Sequence, residues 1–145
     1  VCTSHTYNDR INTIKNAKAV GLNVCSGGIF GLGETIEDRI DMALDLRVLE
    51  IHSVPINVLT PIPGTPFENN EEVNPFEILK TISIYRFILP KSFLRYCGGR
   101  IKLGEQVKIG LRCGINSALT GNFLTTTGTT IETDKKMIEE LGYEI

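Results

Sequence analysis

The sequence predicts an α/β fold built from about four strand–helix units. Two observations carry that prediction. Short apolar runs at 22–25, 53–59, 92–97 and 116–119 alternate with longer stretches of helical periodicity. Each run then opens into a loop rich in glycine, proline or threonine, at 26–34, 60–74, 98–102 and 120–130. Strands alternating with helices pair in parallel through right-handed crossovers. A closed eight-stranded barrel needs about 250 residues, so four units in 145 residues make about half of one. The other geometry is a small doubly wound open sheet. Both put a ligand at the carboxyl ends of the strands, and both therefore gather the same four loops.

In chain order, a polar segment precedes a helix over 8–20, whose stripe is Ile11, Ile14, Ala17 and the Lys18 stem. Gly21 stops it. The first strand is 22–25. Thr35, with Asp38 three residues on, is the N-cap of a helix over 35–50, with Ile36, Ile40, Ala43 and Leu44 on one face. The second strand holds Pro55, which cannot donate to a ladder. Pro61, Pro63 and Pro66 stiffen the loop after it. Asn74 then Pro75 opens a third helix lined by Ile78, Leu79, Ile82 and Tyr85, and Pro90 ends it. After the strand at 92–97 a helix over 103–113 stops at Gly114. The fourth strand leads through a threonine loop to a helix over 133–141 that ends at Gly142.

Composition excludes several classes. The net charge is −2 with no basic run, which argues against a nucleic-acid surface. No apolar stretch approaches a membrane span and no signal peptide pattern occurs, so a cytoplasmic protein is expected. The chain opens on Val1 and almost at once on a helix, and so reads as a piece of a longer protein. Cysteines stand at 2, 25, 97 and 113, with no C-x-x-C spacing, and are expected as reduced thiols. Cys2, Cys97 and Cys113 read as packing residues. There is no Ser/His/Asp constellation, G-x-S-x-G turn or phosphate-binding Walker loop, and the acidic residues fall mostly on helix faces.

One stretch stands apart. Cys25 precedes Gly27, Ile29, Gly31 and Glu34, spaced as G-x-I-x-G-x-x-E. That spacing resembles the loop with which radical S-adenosylmethionine enzymes contact their cofactor. Taken alone it is equally a glycine-rich strand-to-helix turn with no ligand.

Five blocks in register make the resemblance specific. They are His-Thr-Tyr-Asn-Asp-Arg (5–10), Gly-Leu-Asn-Val-Cys-Ser-Gly-Gly-Ile-Phe-Gly-Leu-Gly-Glu-Thr (21–35), Ser-Val-Pro-Ile-Asn-Val-Leu-Thr-Pro-Ile-Pro-Gly-Thr-Pro (53–66), Phe-Leu-Arg-Tyr-Cys-Gly-Gly-Arg (93–100) and Gly-Ile-Asn-Ser-Ala-Leu-Thr-Gly-Asn-Phe-Leu-Thr-Thr (114–126). Together they resemble the C-terminal half of the biotin synthase family, end to end. The resemblance implies residues 1–145 as the C-terminal half of a (β/α)8 TIM-type barrel. It implies a homodimeric sulfurtransferase that inserts sulfur into dethiobiotin. The implied cofactors are S-adenosylmethionine, a 4Fe–4S cluster that cleaves it, and a 2Fe–2S cluster that donates sulfur, with flavodoxin or ferredoxin as electron donor.

Carried over by position, Cys25 and Arg95 are the implied catalytic residues and ligands of the 2Fe–2S cluster. A thiolate suits iron–sulfur ligation. A guanidinium is normally protonated, and outside the resemblance Arg95 reads as a buried cation paired with a carboxylate. Arg10, Gly27, Gly28, Ile29, Gly31 and Glu34 are implied to contact S-adenosylmethionine. Ser53 is implied to face the cluster, Asn57 to bind the ureido ring, and Thr125 and Thr126 to hold the substrate carboxylate. Plainer readings are a solvated helix charge for Arg10, strand-end caps for Ser53 and Asn57, and an exposed loop for the threonines. The expected geometry is a thiol at 25 and a guanidinium at 95 facing a shared interior from neighbouring strands.

The C-x-x-x-C-x-x-C motif that holds the 4Fe–4S cluster is absent, as are two cysteines of the second cluster. The isolated chain is therefore expected to be inactive, with open sheet edges. Thr127 stands where the family often has proline. Two other functions fit the same fold: another small-molecule enzyme of the radical S-adenosylmethionine kind, and a non-catalytic half-barrel used for binding.

Overall fold

The computed structural model describes residues 3–122 and 128–145. Four parallel strands pair in chain order: β1 (Gly28–Phe30), β2 (Ser53–Val58), β3 (Phe93–Tyr96) and β4 (Ser117–Ala118). A doubly wound sheet reverses its strand order at a switch point; this one does not. The helices follow the same succession. α2 (Ile36–Val48) packs on α3 (Pro75–Ile88), and α3 on α4 (Val107–Cys113). Strands and helices that advance together are the geometry of a barrel wall, so the half-barrel, not the open sheet, is the fold. α1 (Tyr7–Ala19) precedes this wall and α5 (Ile131–Glu140) ends it.

Local chemistry sets the helix starts. Thr35 accepts the Asp38 N–H while the Asp38 carboxylate accepts the Thr35 N–H, and Thr6 with Asp9 repeats this reciprocal cap at α1. Asn74 accepts the Phe76 N–H, with Pro75 in the first turn, where a missing N–H costs nothing.

Burial alternates strictly along β2. Val54, Ile56 and Val58 are buried, and Ser53, Pro55 and Asn57 are half-buried. Leu94 and Tyr96 of β3 join the buried set, facing Ala43, Leu46, Ile78, Ile82 and Tyr85 of the helices. Phe30 meets Tyr85 edge to face, with ring centroids 5.9 Å apart. Each fully buried aliphatic side chain contributes about 1.5–3 kcal/mol, so the helix-facing side of the sheet carries the stability. The other side, the concave face, keeps polar groups and exposed Ile29, Phe93 and Leu119.

Three expectations need correction. The first strand lies not at 22–25 but at Gly28–Phe30, inside the glycine stretch; Cys25 makes only an isolated bridge to Ser53. The offset between strands is the same at Cys25↔Ser53 and Gly28↔Ile56. The pairing therefore lapses only opposite Val54 and Pro55, where proline has no N–H to give. The buried stripe of α2 is Arg39, Ala43 and Leu46, and Leu44 is exposed. The segment before α4 opens as a 3-10 helix, Arg100–Gln106, interrupted at Gly104.

α1 has no buried residue. Tyr7 Oη donates to Asp45 at 2.7 Å and Lys18 Nζ to the Leu49 carbonyl at 2.5 Å. Burial, then the hydrogen-bonded Asp45 carboxylate, pushes the Tyr7 phenol up to about 12. This light attachment leaves space between α1 and the glycine stretch.

Candidate functional site on the concave face

Residues paired in parallel register point to the same side of a sheet, as do residues two apart on one strand. Cys25 pairs with Ser53, Pro55 with Arg95, and Arg95 with Ser117. Cys25, Ser53, Arg95 and Ser117 therefore share the concave face. Ser53 donates its hydroxyl hydrogen to Cys25 Sγ at 3.2 Å, and Arg95 Nε donates to Ser117 Oγ at 3.2 Å. The thiol and the guanidinium are not on neighbouring strands: β2 runs between them.

Arg95 is half-buried. Among the described residues no carboxylate lies within ion-pair distance of it. The paired-cation reading thus finds no partner there. Cys97, two residues on, is buried, and burial pushes its thiol up to about 11; Arg95 pulls in the opposite direction and Cys25 adds to the rise. Cys97 thus lies in the field of both residues, although the sequence marks it only as packing. Ser117 was also missed; its one signal is its position in the last strand.

Asn57 spans two strand ends. Its amide N–H donates to the Gly28 carbonyl at 3.2 Å and its amide oxygen accepts the Gly98 N–H at 3.0 Å. Thr125 and Thr126 lie outside the described residues, as do Cys2 and Thr127.

The glycine stretch borders a cavity of about 580 Å³ between α1 and α2, lined among others by Arg10, Gly27, Gly28, Ile29, Leu32 and Glu34. Five of the six residues expected around one ligand therefore border one space; Gly31 does not line it. Arg10 is exposed and donates through Nε to His5 Nε2 at 3.0 Å. A side chain on Gly27 would run into the Pro55 carbonyl oxygen, so the close approach of the strands needs glycine. Gly31 sits at φ 103°, where L side chains are strained, and a Cβ there would lie 2.9 Å from Val73.

Glu34 does something other than face that cavity with a free carboxylate. Its oxygens accept the N–H groups of Gly31 at 2.9 and 3.1 Å and of Leu32 at 2.9 Å, and both Nε and Nη2 of Arg39 at 2.9 and 2.7 Å. Burial raises its pKa, but these donors outweigh burial and hold the carboxyl below its usual range. Arg39 is buried in turn, and sequence reasoning passed over it. The signal was its spacing with Ala43 and Leu46, four and seven residues on, along the buried stripe.

The described residues include no group of three or more His, Cys, Asp or Glu able to hold a metal ion. Among the described residues, the concave face thus offers the exposed Cys25 thiol and the Arg95 guanidinium without a carboxylate, and no complete ligand set.

Fold and geometry together define an α/β half-barrel whose exposed thiol and half-buried guanidinium lie on the concave face, with a cavity beside the glycine stretch. Residues 55–144 match the Biotin and Thiamin Synthesis associated domain, and the chain belongs to that family. It is 94% identical over 145 residues to the biotin synthase of Fusobacterium nucleatum subsp. nucleatum, covering all of this chain and 40% of that protein. Against the biotin synthase of Campylobacter hominis it is 59% identical over 143 residues, covering 99% of this chain and 44% of the relative. The matched part is the C-terminal part of these relatives, and the chain spans less than half their length. The crystal structure of methylornithine synthase superposes with a TM-score of 0.76 over 98% of this chain and 46% of that one, at 22% identity. That likeness speaks to the fold alone.

Proposed function

We propose that this chain is the C-terminal part of a biotin synthase, which inserts sulfur into dethiobiotin. The observation that supports the reading most is that the concave face carries both an exposed Cys25 thiol and, one strand beyond β2, an Arg95 guanidinium with no carboxylate partner among the described residues. A buried or half-buried arginine normally finds an anion. Here the anion would be a bound group.

The residues present fit two of the four ligands of a 2Fe–2S cluster, and none of a 4Fe–4S cluster. Cys25 and Arg95 would hold the first. When bound, that cluster would supply sulfur; a 4Fe–4S cluster, which the ligands of this chain do not complete, would supply reducing chemistry toward S-adenosylmethionine. Ser53 steadies the Cys25 sulfur through its hydroxyl, and hydrogen bonds to cluster sulfurs tune potential. Beyond its bonds to Gly28 and Gly98, the Asn57 amide keeps one further N–H and one oxygen lone pair, a donor and an acceptor suited to a ureido ring. Arg10, Gly27, Gly28, Ile29, Leu32 and Glu34 border the space proposed for S-adenosylmethionine. Thr125 and Thr126 are proposed for the substrate carboxylate. A homodimer and a flavodoxin- or ferredoxin-type donor belong to the same proposal.

The test is to express the full-length gene anaerobically with iron and sulfide and assay conversion of dethiobiotin. Product formation supports the reading; a protein that carries both clusters yet leaves dethiobiotin untouched ends it. Arg95→Met is expected to fold, because it breaks no ion pair among the described residues and only one hydrogen bond, to Ser117, and to shift the visible absorption of the 2Fe–2S cluster.

A further inference from the structure

We infer that Arg39 is the positioning residue that sets the shape of the glycine loop at 31–34 and, through it, affinity for S-adenosylmethionine. The inference rests on the reading of that loop as the cofactor wall, and it moves Glu34 from ligand contact to loop former.

The Glu34 carboxylate is fully engaged within the protein. It receives two backbone N–H groups from Gly31 and Leu32 and two guanidinium N–H groups from Arg39. Curling the backbone so that two successive N–H groups meet one carboxylate brings Gly31 to its positive φ. Arg39 fixes where that carboxylate sits. Its remaining nitrogen, Nη1, donates to Thr81 Oγ1 of α3 at 3.1 Å, and Thr81 Oγ1 donates to the Glu77 carbonyl at 2.8 Å. Its guanidinium lies over the Phe30 ring, 5.1 Å from the centroid, and its carbonyl accepts the Tyr85 hydroxyl at 2.9 Å. The fork therefore ties the loop to the last residue of β1 and to the middle of α3.

The loop so held delivers Leu32 to the cavity wall, beside Ile29 of β1. These apolar side chains suit the flat face of a nucleoside. Lysine cannot replace the arginine: an ammonium is a point charge and lacks the planar fork that spans Glu34 and Thr81.

The test uses the full-length enzyme carrying both clusters, as Arg39→Lys, with Thr81→Val as a milder second variant should the first fail to fold. Three quantities are read: amide hydrogen exchange of a peptide covering 26–35, the Kd for S-adenosylmethionine by equilibrium dialysis, and the KM for dethiobiotin. In R39K the Gly31 and Leu32 amides are expected to exchange at least about tenfold faster. Binding of S-adenosylmethionine is expected to weaken about tenfold, because the ligand must then order the loop that the fork had held. The KM for dethiobiotin should move less than about twofold. In T81V the same changes should be about threefold. A general loss of stability would weaken both substrates alike, and that outcome overturns the inference. So does a folded variant with parental exchange or a parental Kd. A parent enzyme that binds no S-adenosylmethionine would end the functional reading instead, and the clamp would then be decided on amide exchange alone.

Discussion

The Ser53 hydroxyl reaches the Cys25 sulfur at 3.2 Å across the single bridge that joins the residues before β1 to the start of β2. The pair is local to the concave face, and it couples a proposed cluster ligand to the central strand. Removing the hydroxyl takes one donor from the sulfur, which disfavours the more negative, reduced state of a cluster. Ser53→Ala in the full-length enzyme is expected to make the potential of the 2Fe–2S cluster more negative while changing stability by less than about 1 kcal/mol. Potentiometric titration followed by visible absorption checks it; an unshifted potential would mean the hydroxyl does not touch a ligand.

Glu34 gives a pH prediction. Its folded pKa lies below the ordinary carboxylate value, so its contribution is fully present above the unfolded pKa of about 4.3 and is lost as pH falls through the folded pKa. At neutral pH Glu34→Gln leaves Arg39 buried without its anion, and is expected to cost about 3 kcal/mol. The gap between variant and parent should narrow steadily below about pH 4. Urea unfolding of the cluster-free protein at neutral and acidic pH reads both, and a gap independent of pH contradicts the assignment.

Arg86 is a stability residue that no motif marks. Its guanidinium donates to the carbonyls of Gly114 at 3.0 and 2.6 Å, Leu89 at 3.0 Å, Pro90 at 3.1 Å and Ser92 at 2.9 Å. It thereby ties the ends of α3 and α4 to the start of β3. Arg86→Met is expected to destabilise by about 3 kcal/mol, and Arg86→Lys to recover less than half of that, because several contacts depend on the fork. Denaturant midpoints of the three proteins decide the point.

Cys97 should be chemically silent. Burial leaves it 4% exposed and pushes its thiol up to about 11, so the thiolate is scarce at pH 8. Iodoacetamide is expected to leave Cys97 unmodified in the folded protein and to label it once urea is added. Peptide mass mapping shows which; rapid labelling without urea would contradict its burial.

How much of this was legible in the chain can be seen residue by residue. The reciprocal Thr35–Asp38 cap, the Asn74–Pro75 start and the buried Ile78, Leu79, Ile82 and Tyr85 stripe follow from contacts within one helical turn or one helical period. The G-x-I-x-G-x-x-E spacing located the stretch that borders the cavity, but it did not say which way its carboxylate turns. β1 was misplaced because glycines carry no side-chain alternation from which to read a strand. Its extent is decided by β2, including the proline that interrupts the pairing.

By itself, then, the sequence determined the succession of strand–helix units, the helix caps and the family resemblance, all of which are written in neighbouring residues. Only the tertiary structure decided that strands follow one another without reversal, that Cys25 and Arg95 share a face with β2 between them, and that Glu34 is spent on Arg39. Those outcomes join positions tens of residues apart, such as Arg39 and Thr81. Register and the need of a buried charge for partners settle them, and neither acts until the chain has folded back on itself.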